Sequence, residues 1–167
     1  MLNLNPHYYL AQLCAEAYYI KPNTPGFAWF QLGEIIVISG TDHLLDWRDN
    51  FNFYPFTNRG FHKLYLKYAT EILNEIGDNK QLIWTGHSAG GAIAELGAII
   101  SGGVSVTFGQ PTFYSLLGLG KYNLTRYYMK YDPIRLVRRS VYREPLANTI
   151  ILPGFGHHIN KYIKALR

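Results

Sequence analysis

The sequence predicts an α/β fold of minimal size, with a mostly parallel central sheet flanked by helices. Three observations carry that prediction. Strand-like and helix-like segments alternate through the middle of the chain, the pattern of a parallel sheet with helices on its faces. The residues Gly86-His87-Ser88-Ala89-Gly90 lie between an apolar run, Gln81 to Thr85, and a proline-free run, Ala89 to Ile100. That is the strand–turn–helix setting of a nucleophile elbow, and so of the α/β-hydrolase variant of the fold. At 167 residues, 48% of them apolar, the chain reads as one domain over 1–167 with a real core and no linker, repeat or low-complexity tract.

Taken in order, Pro6 to Tyr19 reads as a helix with Leu10, Leu13, Cys14 and Ala17 on one face. Phe27 to Gln31 and Glu34 to Ile38 form an antiparallel hairpin about Leu32-Gly33. A helix follows from about Arg59 to Ile76, where Gly77-Asp78-Asn79 stops it. After the elbow come strands near Val104 to Phe108, Leu124 to Lys130 and Thr149 to Leu152, then a last helix from about His158.

The elbow carries the chemistry. A serine hydroxyl is a weak nucleophile until a base takes its proton, and a sharp turn holds Ser88 Oγ where an imidazole can reach it. Gly86 and Gly90, two before and two after Ser88, leave no Cβ to clash where strand and helix run close. The Ala89 N–H then points toward a developing oxyanion. The alternative is an ordinary Gly-rich turn in which Ser88 caps the helix. His87 reads as a packed core residue, since neighbours on a strand face opposite ways.

Triad partners in this fold follow the serine as acid, then histidine. With Glu95 on the elbow helix set aside, the carboxylates after Ser88 are Asp132 and Glu144, and the histidines after Asp132 are His157 and His158. Asp132 precedes Pro133 at the end of a β-rich run, which is where open α/β sheets build their sites. A turn aspartate is the competing reading of an Asp-Pro pair.

With these residues in place the chain resembles the class 3 lipases, the fungal and plant triacylglycerol lipase family, in a short form. Ile36 to Thr41 followed by Asp46-Trp47-Arg48-Asp49 is similar to that family's F-R-G-T and D-W-x-x-D. Gly60-Phe61 with Tyr65 and Tyr68 resembles its G-F-x-x-x-Y helix start, and Thr107 to Pro111 its T-F-G-x-P strand end. Tyr131-Asp132-Pro133 resembles the segment with the acid, and His157 to Tyr162 resembles H-x-[IM]-x-x-Y. The likeness runs collinearly from about Tyr8 to Tyr162. Ser39, Arg59 and Tyr131 depart from the arginine, histidine and asparagine usual there.

The resemblance implies a Ser88–His157–Asp132 triad. His157 rather than His158 stands five residues before the helical tyrosine, and Gly154 and Gly156 give its loop freedom to aim it inward. It also implies that Thr41 supplies a second oxyanion donor beside Ala89, and that a lid follows, with Leu44, Leu45 and Trp47 facing substrate. Phe51 to Phe56 adds four aromatics in six positions, suited to an acyl groove or to core packing.

Composition narrows the partners. The formal charge is +5, with Arg135, Arg138, Arg139 and Arg143 close together. No nucleic-acid module is recognisable, so an anionic lipid surface is the polyanion that fits, against the plainer reading of a solvated face. Hydrophobic runs fall short of a bilayer span, and Met1 to Pro6 lacks the features of a secretory signal. The expected location is cytoplasmic by default, or external by another export route. A single cysteine excludes an internal disulfide, and no spacing suggests a metal site or a cofactor. The expectation is a serine carboxylic-ester hydrolase acting on lipid esters, a lipase or phospholipase on acyl glycerides. A short-chain or aryl esterase with the same triad, or a catalytically silent lipid- or surface-binding protein of the same fold, are the alternatives.

Overall fold

A computed structural model describes residues 5–23, 27–40, 59–77, 81–111, 122–138 and 147–167. Strands β1 (Trp29–Leu32), β2 (Ile35–Ile38), β3 (Ile83–His87), β4 (Val104–Phe108), β5 (Asn123–Tyr131) and β6 (Asn148–Phe155) form one sheet in the order β1-β2-β3-β4-β5-β6. Only the β1–β2 hairpin is antiparallel; every other neighbouring pair is parallel. All four parallel pairings therefore put their C-terminal ends on one side, the side where such sheets place ligands.

Helices α1 (Pro6–Ala17), α2 (Arg59–Ile76), α3 (Ala89–Ser101), α4 (Pro133–Arg138) and α5 (Ile159–Leu166) complete the described elements. Strand alternation sorts the apolar side chains into two layers. Ile36, Ile38, Trp84 and Leu124 pack under α2 and α3 with Ala69, Ile72, Ile93 and Leu96. Val37, Val106, Phe108 and Tyr127 pack on the opposite face under α1 and α5 with Leu10, Leu13, Ile159 and Tyr162. Both faces of the sheet are thus covered, which is why its strands read as near-continuous apolar runs. No helix among the described residues is long and apolar enough to cross a membrane.

Boundaries differ from the sequence reading at several elements, β1 at Trp29–Leu32 instead of Phe27 to Gln31 among them. Helix α4 was not expected: Asp132 and Pro133 start it as N-cap and first helical residue, with the Ile134 N–H donating to Asp132 Oδ1 at 2.8 Å. Strand β6 continues past Leu152 through Pro153 to Phe155, which an edge strand tolerates because one side of it has no ladder to supply. Helix α1 ends at Ala17, with Tyr18 as its C-cap.

The layer beneath α3 contains a buried ion pair. Arg126 on β5 donates through Nε to Glu95 Oε2 at 2.7 Å and through Nη2 to Glu95 Oε1. Arg126 is fully buried, and Gln110 Nε2 adds a 3.3 Å bond to the same carboxylate. Removing one member of such a pair leaves a charge in the core without its counterion. Glu95→Ala should therefore lower stability by about 3 kcal/mol, read as a lower urea midpoint with an unchanged slope.

Candidate active site

Ser88 is the only non-glycine residue of positive φ among the described residues, at φ 55 and ψ −128. A side chain in that region costs about 1–3 kcal/mol and persists only where its surroundings over-determine it. Here the surroundings are tight. A Cβ on Gly86 would lie 2.5 Å from the carbonyl carbon of Gly90, and a Cβ on Gly90 would lie 2.2 Å from the Ser39 carbonyl oxygen. The Ser88 N–H is anchored to the Phe108 carbonyl at 3.0 Å. Its hydroxyl makes no capping bond to α3 and, buried, has no hydrogen-bond partner among the described residues, His157 included. Ser88 occupies the N-cap position without doing a cap's work, which leaves its Oγ available for chemistry. Ala89 follows as the first residue of α3, where backbone N–H groups lack an intrahelical acceptor and the helix dipole favours negative charge.

The other predicted residues converge on the C-terminal side of β5. Asp132 is fully buried just past that strand. His157 Nδ1 bonds its Oδ2 at 2.8 Å, and Tyr162 on α5 donates its hydroxyl to the same oxygen. Because a carboxylate accepts, the proton of the imidazole is assigned to Nδ1, leaving the Nε2 lone pair able to take a proton. Asp132 thus both caps α4 and orients His157, so the two readings of Asp-Pro are not exclusive. The Tyr162 hydroxyl also accepts from the Met129 N–H at 3.4 Å. Burial and the adjacent carboxylate push its pKa far up, so it remains a donor at all ordinary pH.

Gly109, at φ 59, supports the imidazole from below. A Cβ there would stand 2.9 Å from both Cε1 and Nδ1 of His157 and 2.7 Å from the Tyr162 hydroxyl. His158 points elsewhere: it is the exposed N-cap of α5, its Nδ1 accepting from the Asn160 N–H at 3.2 Å.

His87 is buried, as a packed residue should be, but its polar edge is fully used. Its Nε2 lies 2.6 Å from the His157 carbonyl oxygen and its Nδ1 lies 2.6 Å from the Tyr18 hydroxyl. The His87 and His157 rings are 4.7 Å apart. Sequence reasoning missed the contributions of Tyr18, His87 and Tyr162. The signals available were weak ones: Tyr18 follows Cys14 by one helical turn, and Tyr162 follows buried Ile159 by three.

The end of β2 comes up against the serine, since a Cβ on Gly40 would lie 3.2 Å from Ser88 Cβ. Ser39, where the resemblance expects arginine, accepts the Ala28 N–H at 2.8 Å through its Oγ and so ties β2 to the segment before β1. Thr41, the second oxyanion donor expected, and the lid residues Leu44, Leu45 and Trp47 lie outside the described residues, as do Arg139 and Arg143. Arg135 donates to the Lys130 carbonyl at 2.6 Å. The other nucleophile type in the chain is silenced: Cys14 is buried against Thr85, and burial pushes its thiol up to about 12. Among the described residues no three His, Cys, Asp or Glu side chains gather as a metal site.

In comparison with known proteins, the chain matches no protein-family model and no curated sequence.

Proposed function

We propose that the protein is a serine carboxylic-ester hydrolase of the α/β-hydrolase type, acting on lipid esters as a lipase or phospholipase. The observation that carries this reading is the strained backbone of Ser88 at φ 55, ψ −128, on a strand–turn–helix whose serine hydroxyl neither caps the helix nor bonds any other group among the described residues. A protein gains nothing in stability from that arrangement, and a nucleophile needs it. The bond from His157 to the buried Asp132 supports the same reading, because it holds an imidazole in the tautomer that acts as a base.

In the proposed reaction Ser88 Oγ attacks the ester carbonyl carbon while His157 Nε2 takes its proton. The resulting imidazolium is stabilised by Asp132, which also accepts from the Tyr162 hydroxyl and the Ile134 N–H. The Ala89 N–H donates to the oxyanion, and Thr41 is the proposed second donor. Collapse of the tetrahedral intermediate expels the alcohol, which receives the proton from His157 and leaves an acyl-serine. Water, deprotonated by the same imidazole, then releases the acid. No cofactor is required.

The lipid preference rests on the resemblance to class 3 lipases, and exposed Tyr131 and Phe155 at the C-terminal ends of β5 and β6 are consistent with an apolar surface there. A fluorophosphonate probe followed by peptide mapping is expected to label Ser88 alone, with p-nitrophenyl esters of octanoyl length or longer hydrolysed faster than acetyl. Preference for acetyl would move the assignment to a short-chain esterase. Absence of both label and hydrolysis would leave a silent binding protein of this fold.

A further inference from the structure

Resting on that assignment of Ser88, Asp132 and His157, we propose that Tyr18 and His87 are positioning residues that clamp the main chain of the base. The Tyr18 hydroxyl fixes the His87 ring, and the His87 ring holds the backbone carbonyl of His157.

The tautomer follows from the partners. A carbonyl oxygen only accepts, so the Nε2 facing the His157 carbonyl at 2.6 Å carries the proton. Nδ1 is then the acceptor, and the Tyr18 hydroxyl donates to it across 2.6 Å. Burial, and then the neighbouring His157, drive the His87 pKa well below its ordinary value. The ring is therefore neutral and committed at both nitrogens. It cannot be a second base, and it places no cation beside the imidazolium that forms on His157.

The clamp acts on the short connection between β6 and α5 that carries the base. His157 follows Phe155, which is 72% exposed, and Gly156, at φ 108. Asp132 fixes one ring nitrogen but not the chain that carries the ring. His87 comes from the strand immediately before the nucleophile, so its bond ties the base's main chain to the residue beside Ser88. Tyr18 extends the link: a Cβ on Gly40 would lie 2.2 Å from its hydroxyl, which puts that oxygen against the end of β2 leading to Thr41. Two hydrogen bonds, Tyr18 to His87 and His87 to His157, thus connect the end of α1, the elbow strand and the segment of the base, with the Tyr18 hydroxyl packed against Gly40. Misplacement of a reacting group by an ångström can cost on the order of 100-fold in rate, so the link would appear in kcat.

The test uses three variants of the full chain. His87→Gln keeps an N–H donor at the reach of Nε2, His87→Asn is too short to reach the carbonyl, and Tyr18→Phe removes only the hydroxyl. His87→Asn should lower kcat for a p-nitrophenyl ester by about 10- to 100-fold with KM nearly unchanged. His87→Gln should recover most of that loss, and Tyr18→Phe should lose roughly 3- to 10-fold, as expected for one hydrogen bond. In parallel, the downfield Nδ1–H proton resonance of His157 should broaden in His87→Asn and return in His87→Gln. A purely structural role would lower thermal stability in both His87 variants without this difference between them.

Wild-type kcat and an intact resonance in His87→Asn would overturn the proposal. If that variant does not fold, the same two readings on Tyr18→Phe decide it. The resonance needs no turnover, so it reports on the clamp even if the wild-type protein hydrolyses no ester, an outcome that would count against the hydrolase assignment alone.

Discussion

Asp132→Asn is expected to lower kcat for ester hydrolysis by roughly four orders of magnitude, as tautomer inversion does in serine hydrolases, while leaving the fold intact. The site dictates which way the new amide must face. Ile134 donates its N–H to Oδ1, so the amide oxygen has to stay there, because an amide nitrogen would set donor against donor. The NH2 group then takes the place of Oδ2, which faces His157 Nδ1. An NH2 group can only donate, so Nδ1 becomes the acceptor and the imidazole proton moves to Nε2. The base is blocked at the atom meant to take the serine proton. Tyr162 can accept the second amide hydrogen, but its buried O–H then loses its acceptor, at a cost of about 1–3 kcal/mol, while the cap of α4 survives. Thermal unfolding should therefore shift by several degrees while activity collapses. Comparable losses of stability and activity would instead make Asp132 a structural aspartate, its role limited to starting α4.

This dual use of one carboxylate marks the boundary of what the sequence discloses. Apolar runs and their breaks gave the strand and helix order, because burial on both sheet faces forces near-continuous hydrophobic strands. The elbow was legible because close approach of strand and helix permits only glycine at 86 and 90. Helix α4 was missed because six residues, Pro133–Arg138, are too few to display a period, and Asp-Pro also signals a plain turn. The polar clamps were illegible for another reason. Tyr18 and His87 are 69 residues apart, His87 and His157 are 70 apart, and Tyr162 and Asp132 are 30 apart. Local spacing carries no information about such pairs; only the strand order brings them together. His87 shows the effect most clearly. Strand alternation points to a packed residue, and His87 is buried, yet it gives no hint that its ring meets the main chain of the histidine of a segment far along the chain.

His157→Ala and His158→Ala should separate completely, although the two residues are adjacent. Loss of His157 should reduce ester hydrolysis by roughly three or more orders of magnitude, as triad deletions do. Among the described residues no neighbour can substitute. His87 is the nearest imidazole described, at 4.7 Å between ring centroids, but both its nitrogens are committed and its burial disfavours the protonated state a base must reach. His158 cannot turn inward without moving the backbone, because its side chain accepts from the Asn160 N–H at the start of α5. Its replacement by alanine should keep most of the activity and cost about 1 kcal/mol of stability, the usual value of an N-cap. Initial rates with a p-nitrophenyl ester, set beside melting temperatures, check both variants. An inactive His158→Ala with a normal melting temperature would transfer the base to that residue, and the bond between His157 and Asp132 would then be an orienting contact for the loop alone.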